Sequence, residues 1–249
     1  MKRNMNKKHQ SLTVCGVRID NLAKEEAVSY ALSPRKRVCT VFTPNALMLE
    51  ACRKNPALAS LLNSATLSLP DGAGVVMAAR RKGTPLCERV AGIDFGYTLL
   101  EYAHREGLRV FFLGGRPGIA EKAAHEVQKA LPSLSVCGTH HGYFDPTGVE
   151  NTGILHRIRE SRADLLFVCL GFPRQELWTR QNLPFLADLR IIACLGGSLD
   201  VWAGQCRRAP LLLRKLGCEW AWRMLREPER LSGLPALTRF WILSRLGRL

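Results

Sequence analysis

Five short stretches of this chain bring together groups that handle polar substrates. They are Thr43-Pro44-Asn45, Pro70-Asp71-Gly72, Gly114-Gly115-Arg116, Gly171-Phe172-Pro173-Arg174-Gln175-Glu176 and Gly196-Gly197-Ser198-Leu199-Asp200. Asp71 is a candidate general base, because a carboxylate held at a strand end accepts a proton from a substrate hydroxyl. The plainer reading of a Pro-Asp-Gly turn is an Asx-turn or a helix N-cap. Asp200 has a similar location and reads as a cap or loop brace. Arg89, in Glu88-Arg89-Val90-Ala91-Gly92-Ile93-Asp94, can grip a phosphate bidentately or sit as an ordinary surface arginine, with Asp94 expected to cap the following helix. Gln175 donates and accepts, so it suits sugar hydroxyls; otherwise Gln175 and Glu176 are the polar first turn of a helix. Gly114-Gly115-Arg116-Pro117-Gly118 lets backbone N–H groups approach a phosphate or sugar, or simply closes a tight turn. It is not GxGxxG, and no acidic residue ends the following strand as a dinucleotide site requires. The histidines (His9, His104, His125, His140, His141, His156) show no ligand spacing, and adjacent His140 and His141 are expected to point apart on a strand. D-x-D, H-E-x-x-H and Walker patterns are missing, so neither a metal nor a cofactor is expected.

These groups need a scaffold that gathers them. Apolar runs at Val38–Thr43, Thr66–Leu69, Val110–Leu113, Leu134–Gly138, Leu165–Leu170 and Ile191–Leu195 read as strands. Helical patterns lie between them, at Asn45–Leu62, Gly72–Lys82, Asp94–Glu106, Pro117–Ala130, Gly148–Ser161 and Pro173–Leu186. The alternation predicts an α/β fold, a Rossmann-like parallel sheet with helices on both faces. Leu12–Val14 and Val17–Ile19 around Cys15-Gly16 predict a small N-terminal hairpin. In open sheets of this kind ligands collect beyond the carboxyl ends of the strands, where all five polar stretches fall.

The 249 residues are 47% apolar and 23% charged, which supports a sizeable core and excludes wholesale disorder. The formal charge of +15 is unevenly placed. Residues 1–10 carry four basic groups and no acidic one, residues 205–249 carry ten basic against three acidic, and the rest is near neutral. The expected organisation is therefore a basic N-terminus (1–10), a near-neutral Rossmann-like domain (11–204) and a basic, aromatic helical appendage (205–249). No apolar stretch is long enough to span a bilayer, and the basic N-terminus leads into no signal-like apolar run. Nine scattered cysteines without a CxxC pair suit reduced thiols in a cytosolic core. In the appendage, Leu213, Leu216, Trp220 and Met224 share one helical stripe, while Phe240-Trp241-Ile242-Leu243 repeats the composition without a clean stripe. Trp and Arg together suit an anionic membrane surface, although a helix docked on the core is the ordinary alternative.

The strand-end elements, in this order, resemble the WecG/TagA/CpsF glycosyltransferase family. The matching stretches are TPNALML (43–49), LPDGAGVV (69–76), ERVAGIDF (88–95), FFLGGRPG (111–118), LGFPRQELW (170–178), LGGSLDVWAG (195–204) and CEWAWRMLREPERL (218–231). The resemblance implies an inverting, metal-independent transferase working at the cytoplasmic face of the cell membrane. Its donor is a UDP-sugar (N-acetylmannosamine, its uronic acid, glucose or galactose) and its acceptor an undecaprenyl-diphosphate-linked sugar, in cell-surface polysaccharide or teichoic acid assembly. It further implies Asp71 as base, Thr43, Asn45 and Gln175 as site residues, and Arg89 as a phosphate-handling arginine. Gly114, Gly115, Gly171, Gly196 and Gly197, with Glu176 beside them, become the nucleotide-sugar cradle. Arg223, Arg226 and Arg230 become diphosphate clamps, and a homo-oligomer is compatible with this reading. Another UDP-sugar or nucleotide-binding Rossmann-like enzyme is the alternative. A nucleic-acid-binding role lacks stacking aromatics on a sheet face or a recognition helix, so no nucleic-acid partner is expected.

Overall fold

The computed structural model describes residues 10–215, 217–226 and 228–249; the side chains of Lys215, Arg223 and residues 228–230 lie outside that description. The elements run β1 (Ser11–Val14), β2 (Val17–Asp20), α1 (Lys24–Leu32), β3 (Cys39–Phe42), α2 (Ala46–Lys54), α3 (Pro56–Asn63), β4 (Leu67–Ser68), α4 (Ala73–Arg81) and α5 (Gly92–Glu106). They continue with β5 (Arg109–Gly114), α6 (Ile119–Ala130), β6 (Ser135–His140), α7 (Val149–Glu160), β7 (Leu165–Cys169), α8 (Arg174–Asn182), β8 (Ile191–Cys194) and α9 (Ser198–Trp202). The appendage holds α10 (Leu211–Lys215), α11 (Glu219–Arg226) and α12 (Leu234–Arg245).

Among the described residues six strands form one sheet in the order β4-β3-β8-β7-β5-β6, with every pair parallel. Alternate side chains of each strand enter opposite layers. Phe42, Phe111, Leu113, Leu166, Val168 and Ile192 pack with α2, α3, α7, α8 and the hairpin, and Val41, Val110, Phe112, Leu165, Phe167 and Ile191 pack with α1, α5, α6 and α9. Both faces are covered, so the strands read as unbroken apolar runs rather than alternating ones. The hairpin, paired in the register Val14↔Val17, closes one border of the sheet. Asp20 Oδ2 accepts from the Ser68 amide at 2.8 Å, and Arg18 Nη2 donates to the carbonyls of Ala65 and Thr66.

Several sequence expectations change. The single helix expected over Asn45–Leu62 is two, because Asn55 ends α2 and its side chain caps α3, with Pro56 at the first helical position. Asp94 is not the cap of α5; Ala91 takes that position and Asp94 sits within the first turn, bound to Arg208. Helix α1 escapes the apolar-periodicity reading, since it buries only Ala27, Val28 and Ala31. The last segment does carry a stripe: Leu237, Phe240 and Ser244 of α12 are buried, at helical spacing. Phe240 enters the core beside Gly74, where a Cβ would stand 2.8 Å from that of Ala46, and Arg239 lies 3.6 Å from the buried Glu50 of α2. The end of the appendage is thus built into the layer that holds α2 and α4 rather than hung beside it.

Candidate functional site

The ends of β3 and β4 deliver the first group of predicted residues to one place. Thr43, buried, donates from Oγ1 to the Cys194 carbonyl at the end of β8, at 3.3 Å. Asn45 caps α2, its Oδ1 accepting from the amides of Leu47 and Met48 at 3.0 and 3.1 Å. The backbone amide of Asp71 donates to the Pro44 carbonyl at 3.0 Å, which fixes the Asp71 turn against the Thr43–Asn45 loop. Val90 donates to the Pro70 carbonyl at 3.1 Å and so brings the Arg89 segment to the same corner. The amino end of α5 closes in behind: a Cβ on Gly92 would stand 3.0–3.3 Å from the Thr43 side chain, so glycine lets this helix start approach without displacing Thr43.

Arg89 and the appendage meet through ion pairs that no local motif reveals. Arg89 Nη1 lies 3.5 Å from Glu219 Oε2 at the start of α11. The other oxygen of Glu219 lies 3.4 Å from Arg208 Nε, and Arg208 grips Asp94 with both terminal nitrogens. Burial opposes the charge on Asp94, yet the Arg208 guanidinium prevails and holds the carboxyl below its usual range. Gly217 comes so close to the first residue of α4 that a Cβ there would stand 2.7 Å from that of Ala73. The appendage therefore lies over the helix that follows Asp71.

The second group sits at the centre of the sheet. Gln175 is 3% exposed, and its side chain braces neighbours: Oε1 accepts from the Gly196 amide at 3.0 Å and Nε2 donates to Glu176 Oε1 at 2.8 Å. Glu176 is fully buried, and burial pushes its carboxyl up to about 7 despite the hydrogen bond from Gln175. Neither residue is simply the solvated polar turn that the sequence offered as the plain alternative. The glycines differ in what they do. A Cβ on Gly114 would collide with the β7 backbone, 2.3 Å from the Cys169 carbonyl, so packing alone requires glycine there. At Gly171 and Gly196, both with positive φ, a Cβ would meet nothing within 4 Å, leaving open space over the backbone. Gly197 follows as the residue before α9.

Of the three expected clamps, only the side chain of Arg226 lies within the described residues. Its guanidinium stacks over Trp222, 4.9 Å from the ring centre, and the Trp222 indole N–H donates to the Arg207 carbonyl. Arg223 and Arg230 fall outside the described side chains. Exposed apolar side chains gather on the appendage, including Leu212, Leu225, Leu231 and Ile242, and an apolar groove of about 640 Å³ runs along α12 beside Leu234 and Ile242. No described helix is long and apolar enough to cross a membrane. A smaller cavity of about 340 Å³ lies between Asp94, Tyr97 and Trp202, on the flank of the Asp71 corner.

One grouping contradicts the histidine reading. His140 and His141 do not diverge, because β6 ends at His140 and the chain turns; their ring centres lie 4.4 Å apart, with Glu150 near both. The pair of adjacent histidines at a strand end was the available signal, and the glutamate ten residues on, across a loop, was not readable by spacing.

Comparison with known proteins adds a lineage to this geometry. A sequence model described as the Glycosyl transferase WecG/TagA/CpsF family matches residues 12–248. Two relatives, from Staphylococcus aureus strains MW2 and MRSA252, are each 34% identical over 202 residues, covering 80% of this chain and 77% of the relative. Both are named N-acetylglucosaminyldiphosphoundecaprenol N-acetyl-beta-D-mannosaminyltransferase.

Proposed function

The chain belongs to the WecG/TagA/CpsF family of glycosyltransferases, and from that premise we propose that it moves N-acetylmannosamine from UDP to N-acetylglucosamine carried on undecaprenyl diphosphate. It is a hexosyltransferase of cell-surface polymer synthesis by membership; the transferred sugar and the acceptor are taken from the relatives' names, and UDP as the sugar's carrier is part of the proposal. Asp71 acts as the base. As the acceptor oxygen bonds to the anomeric carbon, the bond from that carbon to the UDP oxygen breaks, and the acceptor proton passes to the Asp71 carboxylate. Attack from the face opposite UDP inverts the sugar. The departing diphosphate gains charge, which Arg89 and the backbone amides at Gly171 and Gly197 offset, as fixed dipoles and cations do in a closed site. Thr43, Asn45 and Gln175 hold the loops on which these groups stand, and Gln175 keeps Gly196 in place.

The observation that supports this reading is the Asp71–Pro44 backbone hydrogen bond, which joins two strand ends and holds the Asp71 turn beside the Thr43–Asn45 loop. The exposed leucines of the appendage and its cations, Arg226 among them, support attachment to the anionic inner face of the membrane, where the lipid acceptor resides. UDP release from UDP-N-acetylmannosamine tests the reading. It is measured with a polyprenyl-diphosphate-N-acetylglucosamine acceptor and chelator present, beside UDP-linked N-acetylmannosaminuronic acid, glucose and galactose. Turnover with N-acetylmannosamine alone is expected. Preference for another sugar replaces the donor, and no turnover with any UDP-hexose overturns the proposal.

A further inference from the structure

We infer that His140, His141 and Glu150 form a binding site for a zinc-class divalent transition metal, separate from the transfer chemistry. The Nδ1 of His140 stands 2.8 Å from the His141 carbonyl oxygen. Only a protonated nitrogen makes that contact, so in the neutral ring Nε2 carries the lone pair, the orientation a backbone carbonyl imposes on ligating histidines. That Nε2 lies 3.9 Å from a Glu150 oxygen. The His141 ring packs against that of His140, and its Nδ1 is buried with no hydrogen-bond partner among the described residues. An unpaired buried nitrogen is costly, and a bound cation or a hydrogen-bonding group relieves that cost.

One potential ligand atom from each residue lies within 4.8 Å of the other two. Ligands about 2.1 Å from zinc in a tetrahedral site are roughly 3.4 Å apart, so a modest inward movement completes the set. Glu150 can supply it by side-chain rotation, being 47% exposed at the start of α7. Two imidazoles and one carboxylate suit zinc, cobalt or nickel, whereas magnesium and calcium favour all-oxygen shells. The Phe144 ring stands edge-on to His140 at 5.9 Å and gives the site an apolar wall.

The place in the fold sets the role. β6 is the border strand opposite β4, and five strand spacings put the two about 24 Å apart. A metal here is too distant to touch the acceptor at Asp71. It would instead tie the end of β6 to the first turn of α7 and tighten the intervening loop. In that loop the Gly142 amide donates to the Gly115 carbonyl at 2.8 Å, so the tie reaches the glycines that follow β5.

Cobalt titration of the full-length protein, stripped with chelator and kept reduced, tests the inference. One equivalent is expected to bind with visible d–d bands, displaceable by zinc, and to raise the melting temperature by several degrees. The nine cysteines are the competing ligands, and they would announce themselves by thiolate charge-transfer bands in the near ultraviolet. His140→Ala and Glu150→Gln are each expected to weaken binding by about tenfold or more while the metal-free melting temperature stays near that of the parent. Thiolate bands, undiminished affinity in both variants, or no saturable binding would each overturn the site. All of these readouts are independent of turnover, so they stand or fall separately from the sugar-transfer reading.

Discussion

The two borders of the sheet are finished in opposite ways. At β4 a hairpin seals the edge, the appendage lies over α4, and the segments of Thr43, Asp71 and Arg89 meet at one corner. At β6 no further strand pairs with the edge among the described residues; the strand is half-exposed, and the Arg157 guanidinium reaches the Thr139 carbonyl from α7. Proton transfer and charge stabilisation gain strength where water is excluded. The proposed transfer chemistry sits at the covered border, while at the open border Glu150 is 47% exposed beside the two imidazoles.

The strongest challenge to this contrast is Phe240→Ala. It is expected to cost about 3–5 kcal/mol, read from the denaturation midpoint at constant slope, because Phe240 fills the core that fastens the cover. An unchanged midpoint would make the cover ornamental. Next comes Glu176→Gln, beneath the centre of the sheet. The native carboxyl titrates near 7 and an unfolded one near 4.5, so the folded state holds a proton through that interval that the unfolded state has lost. Stability of the parent should therefore fall as pH rises from about 4.5 to 7, by something on the order of 3 kcal/mol, and level off above. The glutamine variant should lack that slope and be the more stable protein at pH 8; parallel curves would remove the buried acid from the account.

A sharper test of the sheltered corner is Asp71→Asn, expected to lower kcat about 100-fold, equivalent to about 2.7 kcal/mol, while the UDP dissociation constant moves only slightly. Unchanged kcat would take the proton elsewhere. The smallest effect concerns the outer surface of the cover. Replacing Leu225 and Ile242, 81% and 53% exposed, with aspartate should lower partition onto anionic phosphatidylglycerol vesicles about tenfold. Turnover of a water-soluble acceptor analogue should persist, and equal partition would detach these residues from the membrane reading.

The strands were legible because burial on both faces leaves a run such as Leu165–Cys169 no polar interruption. Their polar ends were legible for the same reason, since each run stops abruptly at Thr43, Asp71, Gly114, Gly171 or Gly196. What stayed hidden depends on partners distant in sequence. Nothing near Arg89 announces Glu219, and nothing near Asp94 announces Arg208, 114 residues away. Gln175 looks like a ligand-reading residue until the Gly196 amide is found in contact with it. Deleting residues 205–249 would not test attachment alone, because that segment contains Leu237 and Phe240 of the core. Surface substitutions on α11 and α12 separate attachment from folding, as truncation does not.

The Asp20 carboxylate on the Ser68 amide has a consequence for how copies of this protein can associate. Backbone pairing between molecules needs a free flank on each, and here one flank is already occupied from within. A strand from another copy could add along β4 only by displacing that carboxylate, so this flank is guarded against templated pairing by a single side chain.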